Sequence, residues 1–261
     1  MNRLYEDLRY LKDCALMLWN GSVHRNDQVR AFRNRHKGKR CFVVATGPSL
    51  TLKDVEALKG EYTFAVNSCF RIFDKTDWRP TYYVITDPQF IRDMGSELEK
   101  QDSEIACAFC GKEVPWNKEG VLRLNASKRY QNLPEKGLLR RMIDSAQDNF
   151  MSRDVSRGVV SGHSVIFTVL QIAEYMGFSE IYLLGTDCNY TGTLQYSDLT
   201  SHTHVNAPNA ADRMIVDYLY ARRHFEKSST SVYNATRGGM LEVFPRVDLD
   251  AVLAKQKGEL A

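Results

Sequence analysis

The sequence predicts an α/β fold in which a mainly parallel sheet carries helices on both faces. Short apolar runs rich in β-branched and aromatic residues alternate with longer stretches of helical period, the pattern of repeated strand-helix-strand units. The first run, "CFVVA" at residues 41–45, is apolar at every position, as a strand covered on both faces should be. The stretch "HSVIFTVLQIAEYMG" at residues 163–177 is apolar almost all round, which suits a helix buried against the middle of the sheet.

Taken in order, Leu4, Leu8, Leu11, Ala15 and Leu18 fall on one helical face, so residues 2–20 should form an amphipathic helix that stops near Asn20 and Gly21. Its apolar stripe needs a cover. The main domain or a second copy in a homo-oligomer would serve. So would peripheral contact with a membrane surface, because residues 30–40 are rich in Arg, Lys and His. Strands are expected at residues 41–45, 63–67, 82–86, 105–109, 121–124, 181–185 and 232–234. Helices are expected near 52–59, 88–100, 138–147, 163–177 and 209–226, with a last short one from Asp248. The chain then divides into an N-terminal helix and basic connector, 1–37, and one domain, 38–261, with a lid or loops within 111–160 and 188–208.

A chain of 261 residues with 43% hydrophobic content can bury one sizeable core. Lys plus Arg total 35 against 32 for Asp plus Glu, and a formal charge of +3 is too small to make nucleic acid the main partner. Of the six cysteines, only Cys107 and Cys110 form a C-x-x-C pair. No second pair completes a zinc site, so buried free thiols are expected. Acidic residues lie within the first seven positions, and the longest N-terminal apolar run, "ALMLW", is too short for a secretory core or a membrane span. The expected location is the cytoplasm, extending to the inner membrane surface if the N-terminal helix binds there.

In open parallel sheets ligands bind beyond the carboxyl ends of the strands, so the residues that follow each strand are the candidates for chemistry. After the first strand come Thr46, Gly47, Pro48 and Ser49. Glycine allows close backbone approach, proline fixes the turn, and Ser49 is placed to cap the next helix, whose amide end favours an anion. The same turn would serve as a plain structural connection. It has neither the glycine spacing of a dinucleotide fingerprint nor the Gly-Lys-Ser/Thr of a P-loop. After the second strand come Asn67 and Ser68, after the third Asp87, and after the sixth Asp187. "GVVSGHS" leads into the buried helix through Ser161 and Gly162, suiting either a ligand at a helix N-terminus or a plain capped start. Tyr190 and Tyr196 flank a glycine-containing loop, and "SHTHVN" sets His202 and His204 before the long helix 209–226. Phenolic hydroxyls can hold phosphate oxygens, and histidine is the natural general base for an alcohol.

Four ordered stretches, "VVATGPSL", "FAVNSCFRIFDKTDWRPTYYVITD", "SVIFTVLQIAEYMGFSEIYLLGTDCNY" and "VYNATRGGMLEVFPRVDL", resemble the bacterial domain shared by motility accessory factors and 6-hydroxymethylpterin diphosphokinase-like proteins. That domain is in turn similar to the glycosyltransferase family 42 sialyltransferases. The resemblance implies a Rossmann-like transferase that binds a nucleotide at the carboxyl edge of its sheet. The implied donor is a CMP-activated, sialic-acid-like sugar, and the acceptor a glycan of surface polysaccharide or lipopolysaccharide synthesis. Transfer would invert the anomeric centre with no cofactor or metal required. By motif, Thr46 and Gly47 face the nucleotide, with Thr46 where those enzymes have asparagine. Asn67 matches their second nucleotide-binding asparagine, and Ser161 and Gly162 fall at their Ser-Gly segment. Tyr190 and Tyr196 would steady the leaving phosphate, although Tyr190 lies one position further from Asp187 than the pattern expects. His204, with His202 as the near alternative, would take the acceptor's proton, and Arg157 or Arg237 would add positive charge.

Two other functions fit the same residues. One is an ATP- and magnesium-dependent diphosphokinase in which Asp87 and Asp187 hold the metal and residues 46–49 the phosphates. The other is a non-catalytic nucleotide-binding scaffold docked through its N-terminal helix.

Overall fold

A computed structural model describes residues 25–111, 118–127, 151–189 and 210–259, together with residues 8, 12, 114 and 116. The expected helix at 138–147 lies outside these residues, as does the N-terminal helix apart from Leu8 and Lys12. Seven strands form one sheet: β1 (Arg40–Val44), β2 (Thr63–Val66), β3 (Tyr82–Ile85), β4 (Ala108–Cys110), β5 (Val121–Arg123), β8 (Glu180–Leu184) and β9 (Ser231–Asn234). Their order is β5-β4-β3-β2-β1-β8-β9, and every neighbouring pair is parallel. A second parallel pair, β6 (Ala126–Ser127) with β7 (Val159–Val160), stands apart from it. The strand order reverses between β1 and β8, which is where a Rossmann-like sheet opens a crevice for a ligand.

Both faces of the sheet are covered because each strand is apolar on both. Cys41, Val43, Phe64, Val66, Ile181 and Leu183 meet α3 (Val165–Tyr175) and α4 (Ala210–Phe225) in one core cluster. Phe42, Val44, Ala65, Tyr83, Ile85, Tyr182 and Leu184 meet α1 (Leu52–Ala57), α2 (Pro88–Lys100) and α5 (Leu249–Glu259) in the other. Helix α3 is apolar almost all round for the expected reason: Phe167, Leu170 and Ile172 are fully buried in it. Its one wholly buried polar side chain is tied off. Gln171 Oε1 accepts from Ser152 N and Val160 N, and its Nε2 donates to the carbonyls of Val160 and Phe167. Gln171 thereby fixes the end of β7 against α3 and sets the path of the Ser161 to Ser164 turn.

The elements differ from expectation at their ends. The second and sixth strands stop one residue early because Asn67 (φ 47°) and Gly185 (φ 61°) turn the chain out of the sheet. Helix α3 starts at Val165 rather than 163, since the Ser164 side chain accepts from Ile166 N and caps it. Residues 67–75 form a 3₁₀ helix that the sequence did not announce. Ser49 does not cap α1. Thr51 does, in a capping box with Asp54, while Ser49 turns to Asp187. The described cysteines, Cys41, Cys69, Cys107, Cys110 and Cys188, are free thiols; Cys107 is partly buried and the others are buried.

Behind the sheet His36 is buried between the Tyr62 and Phe178 rings, with Nε2 2.6 Å from the Tyr82 hydroxyl. Burial, helped by the nearby Arg35 charge, holds the imidazole below its ordinary pKa of 6.5. The unfolded chain therefore binds the extra proton first, and this contribution to stability is lost as pH falls below about 6.5. Thermal midpoints recorded between pH 7.5 and 5 should fall more steeply for the wild type than for His36→Gln. Equal slopes would contradict the assignment.

Candidate functional site

The crevice at the strand-order reversal is a cleft of about 380 Å³. Its walls are the turns after β1, β2, β3 and β8 and the loop that enters α3. Of the sequence-predicted residues, Thr46, Gly47, Asn67, Asp87, Ser161, Gly162 and Asp187 line it. Pro48, Ser49 and Ser68 do not, although Ser49 reaches the cleft indirectly through its bond to Asp187. Tyr190, Tyr196, His202 and His204 lie outside the described residues.

The β1 turn is packed as closely as its glycine suggested. Gly47 N donates to the Gly185 carbonyl at 2.8 Å, and a Cβ at position 47 would lie 2.0 Å from Asp187 Oδ2. Asp187 Oδ2 accepts from the Ser49 hydroxyl at 2.8 Å and, at a longer 3.4 Å, from Ser49 N. Burial raises the Asp187 carboxyl above its ordinary pKa, with the Ser49 hydrogen bonds opposing that shift. Behind it, Met240 N donates to the Asp187 carbonyl at 2.6 Å, and Gly239 has no room for a side chain against the Asp187 backbone. Asn234, fully buried, orders this last loop through the Leu241 carbonyl and Thr236 N.

Asn67 sits at positive φ, a conformation that asparagine tolerates better than most residues. Tyr83 pins its backbone: the phenol donates to the Asn67 carbonyl at 2.5 Å and accepts from Phe70 N at 2.8 Å. Its side-chain Oδ1 is buried without a hydrogen-bond partner among the described residues. A buried acceptor left open in a cleft wall suits an N–H or O–H group on a ligand. Asp87 is committed more locally, its Oδ1 accepting from Gln89 N at 2.8 Å to cap α2.

The loop into α3 holds a pair that the sequence reading passed over. His163 lines the cleft, and its Nδ1 lies 3.0 Å from Oδ1 of Asp217 on α4. The other Asp217 oxygen accepts from His163 N, and Asp217 itself is fully buried. One residue further on, the Tyr218 hydroxyl donates to Ser164 Oγ at 3.0 Å. The available signal was an acidic residue on the buried stripe of a helix: Asp217 is buried with Ala221 and Phe225, residues spaced 4 apart. The two arginines expected near the site are engaged elsewhere and do not line the cleft. Arg237 Nε donates to Asp54 at 2.6 Å and its Nη2 to Asp250 at 3.0 Å, while Arg157 pairs with Asp154 at 3.3 Å.

Among the described residues no group of three or more His, Cys, Asp or Glu is placed to hold a metal ion. Magnesium usually needs only one or two carboxylates plus substrate phosphates, and Asp87 and Asp187 both line the cleft. No helix among the described residues is long and apolar enough to cross a membrane.

The sheet order and cleft define a Rossmann-like α/β protein with a cleft at the carboxyl edge of its parallel sheet. More particularly, the chain belongs to the family described as 6-hydroxymethylpterin diphosphokinase MptE-like, whose model matches residues 18–193. No curated protein matches the chain. Among solved structures it is similar to the MAf glycosyltransferase from Magnetospirillum magneticum AMB-1, at 14% identity and a TM-score of 0.48. That match covers 87% of this chain but only 37% of the Magnetospirillum protein. It is also similar to the monofunctional alpha-2,3-sialyltransferase Cst-I from Campylobacter jejuni, at 15% identity and a TM-score of 0.48, over 81% of each chain. A variant of the alpha-2,3/8-sialyltransferase CstII matches at 14% identity and a TM-score of 0.41, over 80% of this chain and 86% of the other.

Proposed function

We propose that the protein is a nucleotide-sugar glycosyltransferase that uses a CMP-activated, sialic-acid-like donor and a surface-glycan acceptor, inverts the anomeric centre and needs no metal. The observation that carries this reading is the cleft itself: a crevice at the strand-order reversal, walled by the Gly47 turn and carrying the Asn67 amide oxygen, which has no hydrogen-bond partner among the described residues. The charge of the cleft favours CMP over diphosphate carriers. Among its described lining residues are two carboxylates and no lysine or arginine, a setting easier for one phosphodiester charge than for two. In this reading His204 or His202 takes the acceptor's proton, and Tyr190 and Tyr196 hold the phosphate as the glycosidic bond breaks.

The pair of aspartates supports the second reading, an ATP- and magnesium-dependent diphosphoryl transfer, which the family's description also suggests. One assay separates the two. Incubated with a CMP-linked nonulosonic acid and a glycan acceptor, the protein should release CMP at the same rate with and without EDTA, as read by mass spectrometry. Magnesium-dependent conversion of ATP to AMP in the presence of a hydroxymethylpterin, with no CMP release, would replace the first reading by the second.

A further inference from the structure

A second cavity, of about 320 Å³, lies at the other end of α3 and α4 from the cleft, and no described residue lines both. That volume falls in the range of small-molecule sites, roughly 300–1,000 Å³. Charge sets it apart from the cleft. Arg33, Arg153 and Lys227 line it against one carboxylate, that of Glu174. Both Glu174 oxygens are engaged within the wall: Oε1 accepts from the Ser228 hydroxyl at 2.6 Å, and Oε2 lies 2.6 Å from His224 Nε2. Arg153 has no carboxylate partner among the described residues; the adjacent Asp154 pairs with Arg25 and Arg157. Arg33 lies over the Tyr175 ring, its guanidinium carbon 6.0 Å from the centroid. Tyr175 lines the cavity, is only 6% exposed, and its hydroxyl has no hydrogen-bond partner among the described residues. An oxygen of a ligand would complete such a phenol. Cations near the ends of two helices also have a structural use, since helix C-termini carry partial negative charge. The carbonyls at the end of α3 are already met by the chain, however: Tyr175, Met176 and Gly177 accept from the backbone N–H groups of Asn34, His36 and Gly38. Two helix ends of roughly half a charge each, together with Glu174, still leave the three cations in excess.

We infer that this cavity is a second ligand site, which takes a phosphomonoester through the Arg33 and Arg153 guanidinium groups and the Tyr175 hydroxyl, with Lys227 adding to the positive field. Guanidinium forks match the oxygens of a phosphate, and the phenol donates to a further one. A phosphomonoester carries about −1.5 to −2 charges at pH 7, which suits a cavity whose cations outnumber its acid. The site does not depend on what the cleft binds. A soluble phosphomonoester and the headgroup of phosphatidic acid offer the same chemistry, and the experiment separates them.

The first arm is calorimetric titration of glycerol 3-phosphate, with glycerol as the uncharged control, into the wild type, the double variant Arg33→Gln/Arg153→Gln, and Tyr175→Phe. The second is flotation of the same proteins with phosphatidylcholine vesicles, with and without phosphatidic acid. Both arginines are exposed and Tyr175→Phe keeps the buried ring, so ligand-free thermal midpoints should stay close to that of the wild type. Glycerol 3-phosphate should bind the wild type saturably, and glycerol should not. The double variant should bind at least about tenfold more weakly, and Tyr175→Phe about three- to tenfold more weakly. Tyr175→Phe leaves every charge in place, so its loss separates a built site from the general attraction of anions to a basic surface. Binding to phosphatidic acid vesicles alone, with the same two losses, would support the site and assign it to a lipid headgroup. Equal binding by wild type and variants in each arm, or no binding in either, would overturn the inference. So would a loss confined to the double variant, which would reduce the cavity to a basic patch, or losses accompanied by fallen midpoints, which would make the residues structural. Failure here would leave the reading of the cleft intact.

Discussion

Gly47→Ala should abolish ligand binding and lower the thermal midpoint by about 5–10 °C, corresponding to about 2–3 kcal/mol in a chain of this size. A Cβ there would lie 2.0 Å from Asp187 Oδ2, 2.4 Å from the Gly185 carbonyl and 2.8 Å from Asp187 Cγ. No flexible side-chain end can yield, because Asp187 is held by Ser49 and its own backbone by Met240. Relief must come from separating the β1 and β8 turns, and those two turns form the floor of the cleft. Gly95→Ala is the matching control. It lies within α2, and its added methyl would meet only Ile91 Cγ2 at 3.7 Å, so helix propensity should leave stability unchanged or slightly raised. Differential scanning calorimetry of both variants checks the contrast. A Gly47→Ala protein as stable as Gly95→Ala would show that the turn is not packed as described.

Phe167→Ala should cost about 3–5 kcal/mol, with Phe167→Leu costing much less. Phe167 is fully buried on α3, among residues of the sheet face beneath the cleft, and truncation would leave a cavity that the parallel strands cannot readily close. The effect should reach the site as well. Phe167 Cδ1 stands 3.0 Å from where a Gly162 side chain would begin, so the ring packs beneath the loop that carries His163. Urea unfolding would show a lower midpoint with an unchanged slope. A loss below about 1 kcal/mol would mean that the helix relaxes into the space.

Much of this was legible in the sequence, for identifiable reasons. The central strands announced themselves because strands buried on both faces are continuously apolar, and β1 with its Gly-Pro-Ser turn was the clearest, whereas the fourth strand, expected at 105–109, lies at 108–110. The cleft residues Thr46, Gly47, Asn67, Asp87 and Asp187 were readable from one rule, that ligands gather past the strand ends, and Ser161 and Gly162 from another, that helix N-termini attract anions. What escaped reading was set by tertiary packing. Asp217 looks like an ordinary polar residue of an amphipathic helix until its neighbours show that it is buried. Gln171 likewise reveals its role only when β7 is found beside α3. The 3₁₀ helix at 67–75 begins at a positive-φ asparagine without a side-chain cap, so no start signal preceded it. Arg237 looked like a site cation beside its glycines, but Asp54 and Asp250, distant in sequence, had already claimed it.

In the proposed function the crevice between the β1 and β8 turns is a nucleotide site in which the Asn67 amide meets the ligand. Calorimetric titration of CMP into the wild type and Asn67→Gly, side by side at pH 7, tests it most directly. Glycine keeps the positive-φ backbone and removes only the side chain whose oxygen has no partner among the described residues. One CMP should bind per wild-type chain, with at least about tenfold weaker binding by Asn67→Gly. Equal affinities, or no CMP binding by the wild type, would contradict it.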